Sequence, residues 1–345
     1  FSGIVFPPPP AQPRIQFLTR ITSERDLAGG QTNTALDEIL GEEKSSAINR
    51  PYGLLVKRDT MLVCDTRINC IVIIDLKNST MDYFQPLGKG EMRTPLNICS
   101  DSSGKIYVAD SERQEVLVFA PGLEYITSLK ESGDSKPVDV EYWNNELFVL
   151  DMAQQQIRVY DPETLQKKRV FLKTSDPDDD GRLYSPVNLA IGNGRFYISD
   201  IGDPSVKVFD ENGNLLHIVG TLGNRPGQFT RPKGIALAAN ENLYVVDGSF
   251  ENVQIFNRMG ELLMPLGGPY EKPGDMYLPA GVFIDYDHLE HFQKYVDPEY
   301  TLKYLIFVSN MYGPDMINVY GFIGPSGSDA ESETKLEPEL ETEQE

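Results

Sequence analysis

The chain is predicted to be all-β, a six-bladed β-propeller, on three observations. Prolines at 51, 95, 137, 186, 232 and 279 open similar units, spaced by 44, 42, 49, 46 and 47 residues. Fourteen or fifteen residues after each of the first five, an aspartate closes a β-branched or aromatic run: Asp65, Asp110, Asp151, Asp200 and Asp247. A third apolar strand follows every time, at Ile71 to Ile74, Val116 to Phe119, Ile157 to Tyr160, Val206 to Phe209, Val253 to Phe256 and Ile317 to Tyr320. Such a unit cannot bury both faces alone, so its stability comes from stacking against copies of itself. A period near 45 residues built from several short strands is the mark of a propeller, and six copies mean six blades.

Taken in order, residues 1–13 carry four consecutive prolines and read as an extended polyproline spacer suited to a tether. Arg14 to Ile21 reads as a strand. Only three strands are visible after Pro279, so residues 14–21 are expected to supply the fourth, outermost strand of blade six and to close the ring without an exposed edge. Residues 26–48 are too long for a plain connection, and Ala35, Leu36, Ile39 and Leu40 recur at helical spacing. That short helix has two readings, one packed on the propeller's own surface and one docking a partner or touching a membrane. In blades one to five the first hairpin turns (Asp59-Thr60, Ser103-Gly104, Asn144-Asn145, Asn193-Gly194, Asn240-Glu241) fall on one face of the disc. The loops before each proline and after each closing aspartate fall on the other. An insertion at about 287–304 lengthens the first hairpin of blade six, and residues 324–345 form an acidic, disordered tail after a propeller spanning 14–323.

The most regular copy is Gly220 to Phe256: a Gly-rich turn ending in Gly227-Gln228-Phe229, then Pro232, and a strand stopped by Asp247. With its spaced glycines, Gly-Gln-Phe, Pro-x-Gly and a strand ending in Asp, this run resembles the NHL-repeat family over roughly residues 14 to 322. The Pro-rich arm, Gly41-Glu42-Glu43 and Arg50-Pro51-Tyr52-Gly53 are similar to a subset of bacterial NHL-type propeller lipoproteins encoded beside multihaem c-type cytochromes. That resemblance implies a protein of the periplasm or cell surface, lipid-anchored through its N-terminal arm, with a c-type cytochrome assembly as the class of partner. The start at Phe1, without Met or an apolar leader, fits a processed or trimmed form.

Net charge is −21; the stretch Gly324 to Glu345 holds eight acids and one lysine, a net −7, which leaves −14 on the rest. Such a field repels phosphate backbones, so a nucleic-acid role is not expected. No apolar run approaches the length that crosses a bilayer. Cys64 and Cys70 flank the turn between strands two and three of blade one, where a bridge and two small buried hydrophobes are the competing readings; Cys99 stands apart.

Asp176, Asp178 and Asp180 match the opening of a calcium loop, but its twelfth position is Val187 instead of a bidentate Glu, so a weak calcium site competes with a solvated acidic turn. His288 and His291 could hold zinc, with no third ligand evident. No nucleophile elbow, triad or phosphate-cradling loop occurs. The recurring aspartates recur by blade, as structural hydrogen-bonding positions do. The loop face carries Arg50, Arg67, Arg113, Lys136, Arg231, Lys233, Phe250 and Tyr312, the default binding surface around the mouth of the axial channel. For the Arg and Lys beside each proline, an ion pair with a closing aspartate is the competing reading. The insertion's Tyr286, Phe292, Tyr295, Tyr300 and Tyr304 make either a partner contact or a self-packed cluster.

These features point to a non-enzymatic protein-binding or scaffold module outside the cytoplasm, with no cofactor, no nucleic acid and the membrane reached only through a lipid tether. The alternatives are a lyase or lactonase using a channel metal, and a structural cell-envelope protein.

Overall fold

The computed structural model describes residues 3–27, 46–173 and 179–326. The helix expected at 35–40, Asp176 and Asp178 of the acidic loop, and the tail from 327 lie outside the described residues. Strands β1 (Val5–Phe6) and β2 (Ile15–Ile21) precede a short helix, α1 (Glu24–Leu27). Blade one is β3 (Pro51–Lys57), β4 (Thr60–Asp65), β5 (Cys70–Asp75) and β6 (Thr80–Phe84); blade two is β7 (Pro95–Ser100), β8 (Ile106–Asp110), β9 (Glu115–Phe119) and β10 (Tyr125–Lys130). Blade three is β11 (Pro137–Trp143), β12 (Glu146–Asp151), β13 (Gln156–Tyr160) and β14 (Lys167–Lys173); blade four is β15 (Pro186–Gly192), β16 (Arg195–Asp200), β17 (Ser205–Asp210) and β18 (Leu215–Val219). Blade five is β19 (Pro232–Leu237), β20 (Leu243–Asp247), β21 (Asn252–Phe256) and β22 (Leu262–Leu266). Blade six is β23 (Pro279–Asp285), β24 (Tyr300–Asn310) and β25 (Ile317–Pro325), with helix α2 (Leu289–Phe292) in its first hairpin, and β2 pairs antiparallel with β25.

The sheets of blades one to five are plain antiparallel meanders, and in blade six the N-terminal strands complete the sheet. The middle strands are buried on both faces because each face lies against a neighbouring blade, and the apolar residues gather in six clusters, one per blade interface. Val116 and Tyr107 of blade two, for instance, pack with Val140 and Leu147 of blade three. The two-residue turns Asn144-Asn145 and Asn193-Gly194 place both central residues at positive φ, the geometry that Asn and Gly tolerate and that matches strand twist.

Ring closure runs from Ile15 opposite Phe322 to Ile21 opposite Ile317. Arg20 reaches the carboxylate of Asp315, which is 1 % exposed, and Phe17 sets its ring edge-on to Tyr320 at 5.6 Å. The proline-rich arm is not wholly a spacer. Val5 and Phe6 add a fifth strand to β2, with hydrogen bonds from Arg14 N to Phe6 O and from Phe17 N to Ile4 O, and Phe6 packs on Tyr320. The prolines lie after this pair, so the run that cannot donate ladder hydrogen bonds becomes the turn instead of preventing the strand.

The insertion packs on its own blade and on the two blades beside it. Phe292 meets Phe307 edge-on at 5.7 Å, and Tyr304 stacks on Phe322 at 4.7 Å and shares a 2.6 Å hydrogen bond with Tyr244. Tyr295 and Tyr300 lie against the same core, and Tyr286 accepts a hydrogen bond from Ala239 N. The aromatics therefore serve mostly as a local core. Cys64, Cys70 and Cys99 are free and buried.

Candidate binding face and axial well

The closing aspartates are 0 % exposed and act as clamps between two loops. Asp65 Oδ2 accepts from the backbone N–H of Asn49 and Arg50, while its Oδ1 accepts from Arg67 and Ile68. Asp110 holds Arg93, Thr94 and Arg113, Asp200 holds Tyr184, Ser185 and Gly202, and Asp247 holds Thr230, Arg231, Ser249 and Phe250 in the same way. In blade six Asn310 Oδ1 takes the N–H of Tyr277. A buried carboxylate accepting several backbone donors needs no cation. The expected ion pairs to Arg50, Lys136 and Arg231 therefore do not form: their main-chain N–H groups bind the aspartates, and their charged ends reach elsewhere. Only blades three and four add a cation, from the third strand, with Arg158 2.9 Å from Asp151 and Lys207 3.9 Å from Asp200.

The axis is crowded at the third residue of each inner strand: Gly53, Asn97, Asp139, Asn188, Gly234 and Gly281. Three glycines bring backbones together on one side, and a Cβ on Gly281 would sit 2.4 Å from Tyr52 O. From blade to blade around the axis, Asn97 donates to Val138 O, Asp139 Oδ2 accepts from Asn188 Nδ2 and Leu189 N, and Asn188 Oδ1 accepts from Ile235 N. These polar groups are used up in joining blades. Toward the hairpin-turn face the channel opens into a well of about 220 Å³ lined by Leu55, Cys99, Glu141, Ile191, Leu237 and Phe283. Burial, and then the neighbouring Asp139, push the Glu141 carboxyl well above the usual carboxylate range. Burial also raises Asp139, against the pull of the Leu189 and Val140 amides.

No histidine lines this well. His217 lies on outer strand β18, His288 is buried with Nδ1 2.9 Å from Asp285, and His291 faces Asp59 at 3.8 Å. Among the described residues no three His, Cys, Asp or Glu side chains group closely enough to hold a metal ion, and Asp180 is exposed.

On the loop face Arg50 Nη2 donates to Tyr312 Oη at 2.6 Å, with its guanidinium 4.9 Å over that ring. Lys233 is 8 % exposed; its Nζ lies 3.2 Å from Met311 Sδ and 5.6 Å over the ring of Tyr52. Burial, and next the charge of Arg231, hold the Lys233 ammonium down to about 8, while Asp247 opposes them. The Tyr52 phenol is pushed up to about 12 by burial and by Asp139. The structure thus brings Arg50, Arg231, Lys233 and Tyr312 to one mouth. Arg113 is tied instead to Glu115 and Glu91 O, Arg67 and Lys136 stand exposed on their own loops, and Phe250 is half-buried.

Sequence reasoning missed Tyr52, Tyr184, Tyr277 and Met311. Tyr184, Tyr277 and Tyr312 are 40 %, 45 % and 38 % exposed, and Arg182 and Lys207 flank the Tyr184 ring at 5.2 and 5.1 Å. A signal did exist for Tyr52: it follows Pro51 as Lys233 follows Pro232, at one position of the repeat.

Residues 92–119 match the family described as the NHL repeat. A search of the curated proteins finds no match. Among solved structures, virginiamycin B lyase from Staphylococcus aureus is similar with a TM-score of 0.53 at 12 % identity, over 82 % of this chain and 86 % of that one. A protein of unknown function from Bacteroides thetaiotaomicron reaches 0.59 at 14 % identity, over 81 % and 70 %. Hydrazine synthase from Kuenenia stuttgartiensis reaches 0.52 at 13 % identity, over 79 % of each. At such identities the likeness shows the fold alone. The chain is a six-bladed β-propeller in which residues 92–119 match the NHL repeat.

Proposed function

We propose that this propeller is a non-enzymatic protein-binding scaffold working outside the cytoplasm, and that its loop face is the surface that binds. One observation carries this reading: each closing aspartate clamps its loops by their main chain. The backbone clamped in this way, and in blade six by Asn310, then presents exposed Tyr184 and Tyr277 with Arg50 and Arg231 on a rigid frame, and Arg50 in turn holds exposed Tyr312. Tyr and Arg on a preorganised surface are the side chains that dominate protein interfaces, because they offer large contact area at low entropic cost. The saturated hub supports a structural use of the axial polar groups.

The partner is a protein. The propeller's net acidity favours one with a basic surface, and a multihaem c-type cytochrome in a periplasmic or cell-surface assembly is the class we propose, with the N-terminal arm as the tether. Affinity capture from native membranes tests this, using as baits the whole chain, a Tyr184→Ala/Tyr277→Ala variant, and Ser103→Arg on the opposite face. The expected result is a partner retained by the wild type and by Ser103→Arg and lost from the tyrosine variant. Recovery of the bait alone, or equal recovery by all three, contradicts the reading.

A further inference from the structure

The mouth of the axial channel holds two cationic groups that the folded chain satisfies only in part. Arg50 Nε is buried and has no hydrogen-bond partner. Among the described residues the hydrogen-bond acceptor at Lys233 Nζ is the thioether of Met311, and a thioether accepts weakly. Among the described residues no carboxylate forms an ion pair with Arg50, Arg231 or Lys233, although the chain as a whole carries a net charge of −21. Burying an ammonium without an anion is costly, and proteins ordinarily pair such a group.

These groups converge. Met311 and Tyr312 are consecutive in the loop after β24 and engage Lys233 and Arg50 respectively. Lys233 lies over Tyr52, two residues beyond Arg50, and Arg231 is close enough to depress the lysine's proton affinity. The result is a notch walled by Tyr52 and Tyr312 with three positive groups, where the one carboxylate that acts on Lys233, Asp247, is engaged by main-chain N–H groups of Thr230, Arg231, Ser249 and Phe250 and forms no ion pair among the described residues.

We propose that Arg50, Arg231 and Lys233 form a binding site for a single carboxylate, an Asp or Glu side chain presented by the partner protein. The proposal rests on the loop face being the binding face. A guanidinium offers the fork that a carboxylate matches, and Lys233 adds a point charge behind it. The overall negative field repels polyanions, so the anion must arrive as one carboxylate on an otherwise neutral or basic surface. Such a group returns to Lys233 the counter-charge that folding withholds.

The test uses the full chain with carbon-labelled lysine side chains, titrated by NMR in millimolar sodium succinate and in sodium chloride of equal ionic strength. Lys233→Met assigns the signal. In chloride the Lys233 signal is expected to titrate near 8, and succinate to raise that midpoint by about one unit, tenfold in proton affinity. In an Arg50→Gln/Arg231→Gln variant with an unchanged urea midpoint the increment should vanish. Equal midpoints in the two salts, or an increment that survives the double substitution, overturns the site. Either outcome leaves the loop-face reading standing if capture still depends on Tyr184 and Tyr277, so the two failures are distinguishable.

Discussion

Arg158, on the third strand of blade three, places Nη2 2.9 Å from Oδ2 of Asp151, with side chains 3 % and 0 % exposed. Asp151 also accepts from Ser135 Oγ, Lys136 N and Gln154 N, so the arginine joins a carboxylate already held by the frame. Removing one member leaves the other charge buried without its partner. Asp151→Asn is expected to cost about 3–5 kcal/mol in urea unfolding, and Arg158→Met less, because the remaining donors still satisfy the aspartate. Equal losses for the two would show that the pair, and not the loop clamp, is the source of stability.

Gly281 marks where blades six and one touch at the axis. A Cβ there would meet the carbonyl of Tyr52 at 2.4 Å, and a backbone atom cannot swing aside. Gly281→Ala should lower stability by about 2–4 kcal/mol, whereas Gly268→Ala, where a Cβ meets nothing within 4 Å, should change it by less than about 0.5 kcal/mol. Calorimetry of the two variants checks the contrast.

Lys233 predicts an inverted pH dependence. Folding lowers its pKa from 10.5 to about 8, so the unfolded chain binds more protons and this group's contribution to stability rises with pH across that window. Below pH 8 the full penalty stands, on the order of 3 kcal/mol as an upper bound. Lys233→Met should therefore stabilise the protein at pH 7, with the gain shrinking as pH rises from about 8 and nearly gone above 10.5. Urea unfolding of both proteins at several pH values measures it, and a destabilised variant at pH 7 would count against a strained lysine. A residue that lowers stability where it stands is one that function retains.

Strand β2 covers β25, which would otherwise be an open edge. Deleting residues 1–21 is expected to lower the thermal midpoint and to produce concentration-dependent association, read by light scattering. An unchanged midpoint with a monomeric product would show that the ring does not need this strand.

The propeller was legible because its signals repeat: proline, closing aspartate and third strand recur at one spacing, and the single missing strand pointed to residues 14–21. The clamps were legible as structural, though not as main-chain clamps, since sequence shows side chains and hides which backbone N–H groups face them. Strand β1 was hidden by the prolines that follow it. Tyr52, Met311 and Lys233 meet through long separations, 78 residues between Lys233 and Met311 of neighbouring blades, while Tyr52 of blade one reaches Lys233 of blade five only because the ring closes. The insertion's aromatics fitted a partner contact and a self-packed cluster equally in sequence, because their polar neighbours mask the local core they form with Phe307 and Phe322.

Hydrogen exchange of the propeller with and without its captured partner tests the loop-face claim most directly. Protection is predicted at residues 46–50, 182–185, 230–233, 277–278 and 311–313, with the hairpin turns at 144–145 and 193–194 unchanged. Protection confined to those turns, or to the outer strands such as β18, would contradict it.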